Sequence, residues 1–276
     1  MPIYKELSEK LFTDFRRIIY QESGINCTDI KKALMQARLM KRIRELKLGE
    51  YEDYYDYLLE NYDTEKVNLI NCITTNKTDF FREPAHFGYL AETIIPAYAN
   101  NKKKTIRIWS AGCSTGEEPY SIAITVLEAC RRGYSPDIKI LATDIDTVVL
   151  NKAEQGIFKG EVVDDIDMET LKKYFYRGRG ENEGLFKIKE PVRKIVYFRR
   201  LNLLGQSFPM KGKFDIIFCR NVIIYFDKES QKRLFDNFYR YLDDDGFLFV
   251  GHSETLTGIT DKFTFLRNTI YKKKTG

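Results

Sequence analysis

Residues 105–124, TIRIWSAGCSTGEEPYSIAI, decide the fold. TIRIWSAG is a β-branched apolar run that ends in a glycine turn, and SIAITVLEACRR beyond it reads as a helix. A buried strand that turns directly into a helix opens a βα unit. The theme then repeats. IKILATDID reads as a strand ending in acids, and KIVYF, FDIIFC and GFLFVG as further short apolar strands. QKRLFDNFYRYL is helix-like between the last two, and FTFLRNTIYKK is expected to finish as one more strand. Strands alternating with helices build an α/β fold with a doubly wound, mostly parallel sheet. Ligands of such sheets bind at the carboxyl ends of the strands, where strand order switches.

Three strand ends carry candidate chemistry. In the first, a strand runs into Gly112-Cys-Ser-Thr-Gly116 and then a helix. Glycines let backbone approach a ligand, and the helix start offers free N–H groups. The spacing is neither G-x-G-x-x-G nor a Walker loop. Glu117 and Glu118 follow at once, so a pyrophosphate is repelled and a cationic ligand is welcome. A plain capped turn is the alternative. At the second, Asp144 lies just past a strand, where a carboxylate can accept from two ribose hydroxyls. A helix N-cap is the alternative there, and Asp146 can fill that role. At the third, Arg220 and Asn221 follow FDIIFC, with Tyr225 nearby, as in a half-buried pocket. Together these ends suit a nucleoside that carries positive charge and no phosphates. S-adenosylmethionine fits that description.

Upstream of the sheet, residues 1–72 read as helical throughout. Met35, Leu39, Ile43 and Leu46 recur at helix spacing. Lys31, Arg38 and Arg42 fall beside that stripe, because 100° per residue brings i, i+7 and i+11 onto one face. Residues 31–47 hold seven basic residues and one acid, Glu45, and the next block is acidic. That reads either as a directed docking surface or as a solvated face. Between the helices and the sheet stands TNKTDFFREP, residues 75–84, with two phenylalanines among small, polar and charged residues.

Composition sets the outer bounds. The chain has 276 residues, 43% hydrophobic and 14% aromatic, which argues against disorder. No apolar run reaches the roughly 18–20 residues of a membrane span, and the N-terminus lacks a signal-peptide core, so a cytoplasmic location is expected. Five scattered cysteines form no C-x-x-C pair and read as reduced, buried thiols. The two histidines, His86 and His252, stand far apart in the chain, which argues against a catalytic histidine and against a metal site. A net charge of +5 does not by itself imply nucleic acid.

Five stretches carry a family resemblance: TTNKTDFFREPAHF, IWSAGCSTGEEPYSIAI, LATDIDTVVLNKA, FDIIFCRNVIIYFD and FVGHSETL. In order and spacing they resemble the motifs of the chemotaxis receptor methyltransferases, CheR, from about residue 70 to the C-terminus. The helical N-terminal region matches in kind more than in letters. The resemblance implies a class I methyltransferase-like sheet domain over 105–276, a helical domain over 1–72 and a linker, 73–104, that contributes to the cofactor site. It implies an antiparallel β-subdomain near 176–198. It implies that Asn76, Thr78, Arg82, Glu118, Asp144, Asn202, Leu203, Asn221 and Val222 contact S-adenosylmethionine, beside the turn at Gly112. Phe80 and Phe81 would then anchor the linker in the core while its polar residues face the ligand.

The implied reaction is methylation of receptor glutamates to methyl esters. A glutamate carboxylate has a pKa of about 4.3, so it is anionic at neutral pH and needs no general base. Arg82 is expected to orient cofactor or substrate, with Tyr225 aiding substrate placement. Lys31, Arg38 and Arg42 would meet an acidic receptor segment. Gly178, Gly180 and Gly184 would shape a subdomain that docks a C-terminal receptor tail peptide by strand addition, or would merely form a hairpin. A monomer is expected, since no long apolar stripe stands exposed. Two rivals remain. A nucleic-acid methyltransferase would carry N-P-P-Y or D-P-P-Y where this chain has CRNVIIYF, and would interleave basic with aromatic residues. A non-catalytic adaptor would keep the fold without needing the acids and Arg82.

Overall fold

The computed structural model describes residues 6–130, 133–206 and 208–275. Four helices come first: α1 (Glu9–Ser23), α2 (Lys32–Glu45), α3 (Tyr51–Glu60) and α4 (Tyr62–Ile73). The Ser8 side chain caps α1 by accepting from the Leu11 N–H, and Gly24, at φ 72°, ends it. Phe15, Leu39, Ile43, Tyr54 and Leu58 are wholly buried between the four helices. Residues 1–5 of the expected helical region lie outside the described residues.

The stretch read as a linker is mostly helix. It contains α5 (Pro84–Tyr89), a wider turn over Leu90–Ile94 and α6 (Ile95–Asn100). Phe87, Leu90, Ile94 and Ile95 belong to the core of the sheet domain, so only residues 74–83 connect the two parts. Apolar residues at 87, 90, 94 and 95 follow a helical period, a signal that was present in the sequence.

The sheet domain then runs β1 (Thr105–Ala111), α7 (Glu117–Ala129), β2 (Asp137–Asp144), α8 (Thr147–Gln155) and β3 (Ile157–Lys159). Arg131 and Arg132, expected to end α7, lie outside the described residues. Short helices α9 (Gly160–Val163) and α10 (Met168–Tyr174) lead to β4 (Phe175–Arg177) and β5 (Leu185–Ile188). After α11 (Glu190–Arg193) come β6 (Val196–Arg200), β7 (Phe214–Cys219), α12 (Lys228–Tyr241) and β8 (Leu242–Val250), and last β9 (Phe263–Arg267) and β10 (Ile270–Lys273).

The main sheet has the order β6-β2-β1-β7-β8-β10-β9, with β6 to β8 mutually parallel. The chain leaves β1 toward β2 and β6, then returns to β7 on the other side. The order therefore reverses beside β1, and the crevice opens at the carboxyl ends of β1, β2 and β7.

Two expectations are corrected. FTFLRNTIYKK is not one strand but the β9–β10 hairpin, because Asn268 and Thr269 take φ of 46° and 56° and reverse the chain. The small antiparallel sheet, order β3-β5-β4, spans residues 157–188 rather than 176–198. Val196–Arg200 pairs with β2 in the main sheet instead. IFK at 157–159 is too short to announce itself as a strand, so its pairing with β5 was not legible.

Candidate active site

The connector builds one wall of the crevice. Phe80 is buried against Phe158 and Phe175, ring centres 4.9 and 5.6 Å away, which pins the connector to the small sheet. Burial of one such ring is worth about 1.5–3 kcal/mol. Phe81 is half-buried, 5.5 Å from Phe87, and its N–H donates to the Ser121 hydroxyl at 2.9 Å. Phe81 and Glu83 hold φ of 52° and 58°, a left-handed backbone that bulky residues rarely adopt and that the packing must enforce.

A single cavity gathers the expected site. Its lining includes Asn76, Thr78, Arg82, Gly112, Glu118, Asp144, Asn202, Leu203, Asn221, Val222 and Tyr225, drawn from five separate stretches of chain. It holds about 1010 Å³ of empty space, its open mouth included. The floor is the β1–α7 turn. Gly112 has φ of 87°, and a Cβ there would lie 2.4 Å from the Val222 Cγ2. Gly112→Ala is therefore expected to lower the unfolding free energy by about 2 kcal/mol, from backbone strain and overlap together. Urea unfolding of the variant beside the wild type measures it.

Asp144 closes the end of β2. One of its oxygens accepts from the Ser114 N–H at 2.8 Å and the other from the Asp146 N–H at 3.0 Å. Burial pushes its carboxyl up, against those two bonds. Asp146 is the N-cap of α8 and accepts from the Val148 and Val149 N–H groups. It also accepts from Asn76 Nδ2 at 2.7 Å, so the Asn76 side chain ties the connector to the start of α8. Asn202 is similarly engaged, donating to the Glu22 carbonyl and accepting from the Leu204 N–H, each at 2.9 Å.

Glu118 and Arg220 form the polar centre. Glu118 accepts from the Ser110 hydroxyl at 2.6 Å and meets Arg220 Nη1 at 3.3 Å. Arg220, with its side chain 2% exposed, also meets Glu83 at 3.1 Å and donates to the Arg82 carbonyl oxygen. Its two carboxylate partners shift in opposite directions. Burial raises Glu118 and outweighs the pull of Arg220. Burial also works to raise Glu83, but Arg220 and the His252 N–H overcome it and hold that carboxyl low. Glu118 has Glu83 and Glu254 as like-charged neighbours, whereas Glu83 gains the His252 N–H and the shorter contact to the guanidinium, and these account for the difference.

Several of these groups carried no earlier role. Glu83 is one. Glu254 is another: buried, it accepts from the backbone N–H groups of Asn221, Ile223 and Gly251 at 2.7–2.8 Å and so fixes the β7 turn, where Asn221 has φ of 60°. His86 and His252, far apart in the chain, meet with ring centres 5.3 Å apart. Burial drives the His86 imidazole down to about 4.

The helical domain forms the opposite wall. Tyr20 donates to Asp227 at 2.7 Å, the Asn26 N–H to the Tyr225 carbonyl at 2.9 Å, and Lys31 Nζ stands 5.1 Å from the centre of the Tyr225 ring. The three basic residues expected beside one another on a face are half-buried, and two of them are engaged by internal partners. Lys31 precedes α2 in a short turn. Arg38 reaches the Ile73 carbonyl and the Thr75 hydroxyl at the start of the connector. Arg42 makes two 2.8 Å bonds to the buried Glu65, which Tyr54 also contacts. Residue spacing gives the face but not the partners that fill it. In the small sheet, Gly180 and Gly184 have φ of 59° and 79°, and a Cβ on Gly178 would lie 1.9 Å from the Asn182 carbonyl oxygen. All three shape the turn between β4 and β5.

Comparison with known proteins agrees with this geometry. Residues 76–272 match the family described as "CheR methyltransferase, SAM binding domain", and residues 10–74 match "CheR methyltransferase, all-alpha domain". The chain is 40% identical to the "Chemotaxis protein methyltransferase" of Escherichia coli (strain K12), over 96% of this chain and 91% of that one. It is 41% identical to the protein of the same name from Salmonella typhimurium, over 96% and 90%. It is 40% identical to "Chemotaxis protein methyltransferase 2" of Pseudomonas aeruginosa, over 94% and 91%. Fold and family together define a methyltransferase whose cofactor is S-adenosylmethionine. The chain belongs to the CheR family, the chemotaxis methyltransferases. Among the described residues no helix is long and apolar enough to cross a membrane.

Proposed function

We propose that this protein transfers a methyl group from S-adenosylmethionine to glutamate side chains of chemotaxis receptors, forming methyl esters. The observation that carries the reading is the cavity itself. It is lined by two acids, the buried Asp144 and the half-buried Glu118, together with the connector and Tyr225. The residues fit the cofactor. Gly112 lets the β1–α7 turn pack directly under Val222 at the cavity floor, and the raised acids gain from a cation or from hydroxyl donors. Glu118 would hold the cationic end, Asp144 the ribose, and the Asn221–Val222 turn and Leu203 the base.

When bound, the cofactor supplies an electrophilic methyl group on a positively charged sulfur. The acceptor carboxylate is already ionised, so the protein has no proton to remove. Its work is to position the acceptor and exclude water. Half-buried Arg82 is held by its Nη1 bond to the Lys77 carbonyl at 3.1 Å, and its own carbonyl is held by Arg220. It is thereby fixed at the mouth to orient the acceptor. Arg82→Ala is expected to lower kcat/KM at least tenfold with an unchanged melting temperature. A labelled-methyl assay on a receptor cytoplasmic fragment measures the first, with alkali-labile label marking the ester. Equal labelling of RNA, or full activity of Arg82→Ala, refutes the reading.

The raised acids also set a pH dependence. Binding that favours the ionised forms of Asp144 and Glu118 releases their protons, so affinity rises with pH until both are ionised. Calorimetric titration with S-adenosylmethionine at increasing pH is expected to show affinity still climbing above about pH 4, the ordinary carboxylate range, because both acids are raised by burial. The acidic face of a receptor would meet Lys31, Arg38 and Arg42 only through whatever charge their internal contacts leave outward. The small sheet, whose β4 edge carries the 58% exposed Tyr176, is the place for a receptor tail strand.

A further inference from the structure

Three metal-ligating side chains converge behind the connector, outside the cavity. Glu83 stands just before α5, His86 lies within its first turn, and His252 sits in the loop after β8. His86 is completely buried, and its Nε2 lies 2.5 Å from the Asn268 carbonyl oxygen. A carbonyl only accepts, so Nε2 carries the proton and Nδ1 the lone pair. That Nδ1 is, among the described residues, the one buried side-chain nitrogen or oxygen without a hydrogen-bond partner. It faces Glu83 Oε2 at 3.5 Å. The neutral ring thus turns a lone pair toward that carboxylate oxygen, which itself meets Arg220 Nη2 at 3.1 Å. His252 Nε2 lies 3.8 Å from the same carboxylate oxygen, and the three ligand atoms all fall within 4.8 Å of one another.

Two of these separations, 3.5 and 3.8 Å, are close to those of a coordination shell. Bonds of about 2.0–2.1 Å at tetrahedral angles place ligand atoms about 3.3–3.4 Å apart. His252 is half-exposed and can close the remaining gap by side-chain rotation. The Asn268 carbonyl on the far nitrogen of His86 is the outer contact that fixes the tautomer and orientation of metal-bound histidines. Arg220 meets the same Glu83 oxygen at 3.1 Å, so a bound ion would share that carboxylate with the guanidinium.

We propose that Glu83, His86 and His252 form a binding site for a borderline divalent cation of the zinc type, with a fourth position open to water. Two imidazoles and one carboxylate are a donor set that suits zinc, and alkaline-earth ions prefer all-oxygen shells. A bound ion would cross-link α5 to the β8 loop and so brace the segment that carries Arg82.

The test is titration of the whole protein with cobalt(II), read by visible absorption, followed by displacement with zinc. The expected result is the strong ligand-field absorption of four-coordinate cobalt, displaced by one equivalent of zinc. His252→Ala, altered only at a half-exposed side chain, is expected to keep its circular dichroism and bind about 10- to 100-fold more weakly. Four outcomes would overturn the site: no cobalt binding, affinity unchanged in His252→Ala, a thiolate charge-transfer band placing the metal on cysteine, or a His86 Nδ1 nitrogen resonance that shows a proton retained with zinc present.

Discussion

Arg220→Met is expected to destabilise the protein by about 3–5 kcal/mol, the cost of removing one partner from a buried ionic network. The methionine fills much of the same space, so packing is largely kept. What is lost is the one cation that Glu83 and Glu118 share, along with the donor to the Arg82 carbonyl oxygen. The two carboxylates would then face each other across an apolar gap near Phe87, whose ring centre is 5.6 Å from the guanidinium carbon. Their pKa values in the folded variant would rise above those of the unfolded chain. A raised carboxylate favours folding below its unfolded pKa, and that contribution is lost as pH increases. The deficit relative to wild type should therefore be largest at neutral pH and shrink toward pH ~4. Urea unfolding at both pH values measures it, and a variant as stable as wild type at neutral pH would show that the network carries no net weight.

Asp144→Ala is expected to weaken S-adenosylmethionine binding by about 100- to 1,000-fold. Two hydrogen bonds from ribose hydroxyls to a buried carboxylate are worth about 1.5–3 kcal/mol each, and each 1.4 kcal/mol is tenfold in affinity. The lower end is preferred because part of the carboxylate's capacity already serves the Ser114 and Asp146 N–H groups. Those two donors lose their partner in the variant, so its melting temperature should also fall. Calorimetric titration on the folded variant separates the effects, and a loss below tenfold would remove Asp144 from the ribose.

The parts of this architecture that were legible in the sequence are those fixed by local pattern. Apolar strands ending in Gly112, Asp144 and Asn221 announce a parallel sheet and its ligand-bearing edge, because burial and turn chemistry act over a few residues. The partners of charged side chains were not legible. Arg42 looks like a surface residue until α4 brings Glu65 beneath it, and Arg38 until the connector passes over it. The same holds for His86 and His252, which only the fold of β8 against α5 brings together. Asn76 and Asn202, expected at a ligand, also spend side-chain hydrogen bonds on Asp146 and the Glu22 carbonyl. Spacing along a chain assigns residues to a neighbourhood, and long-range packing decides which bonds they make there.

The cavity has walls on both sides of the short connector. Tyr20, Asn26 and Asn202 fasten the helical domain to the sheet domain around its rim. Residues 74–83 pass between the two walls and are themselves fastened to the sheet domain through Asn76, Phe80 and Phe81. A ligand spanning both walls would act as a latch between them. Such a ligand would add its own contacts to those that already join the two domains, so its binding and the tightness of the domain joint would be linked.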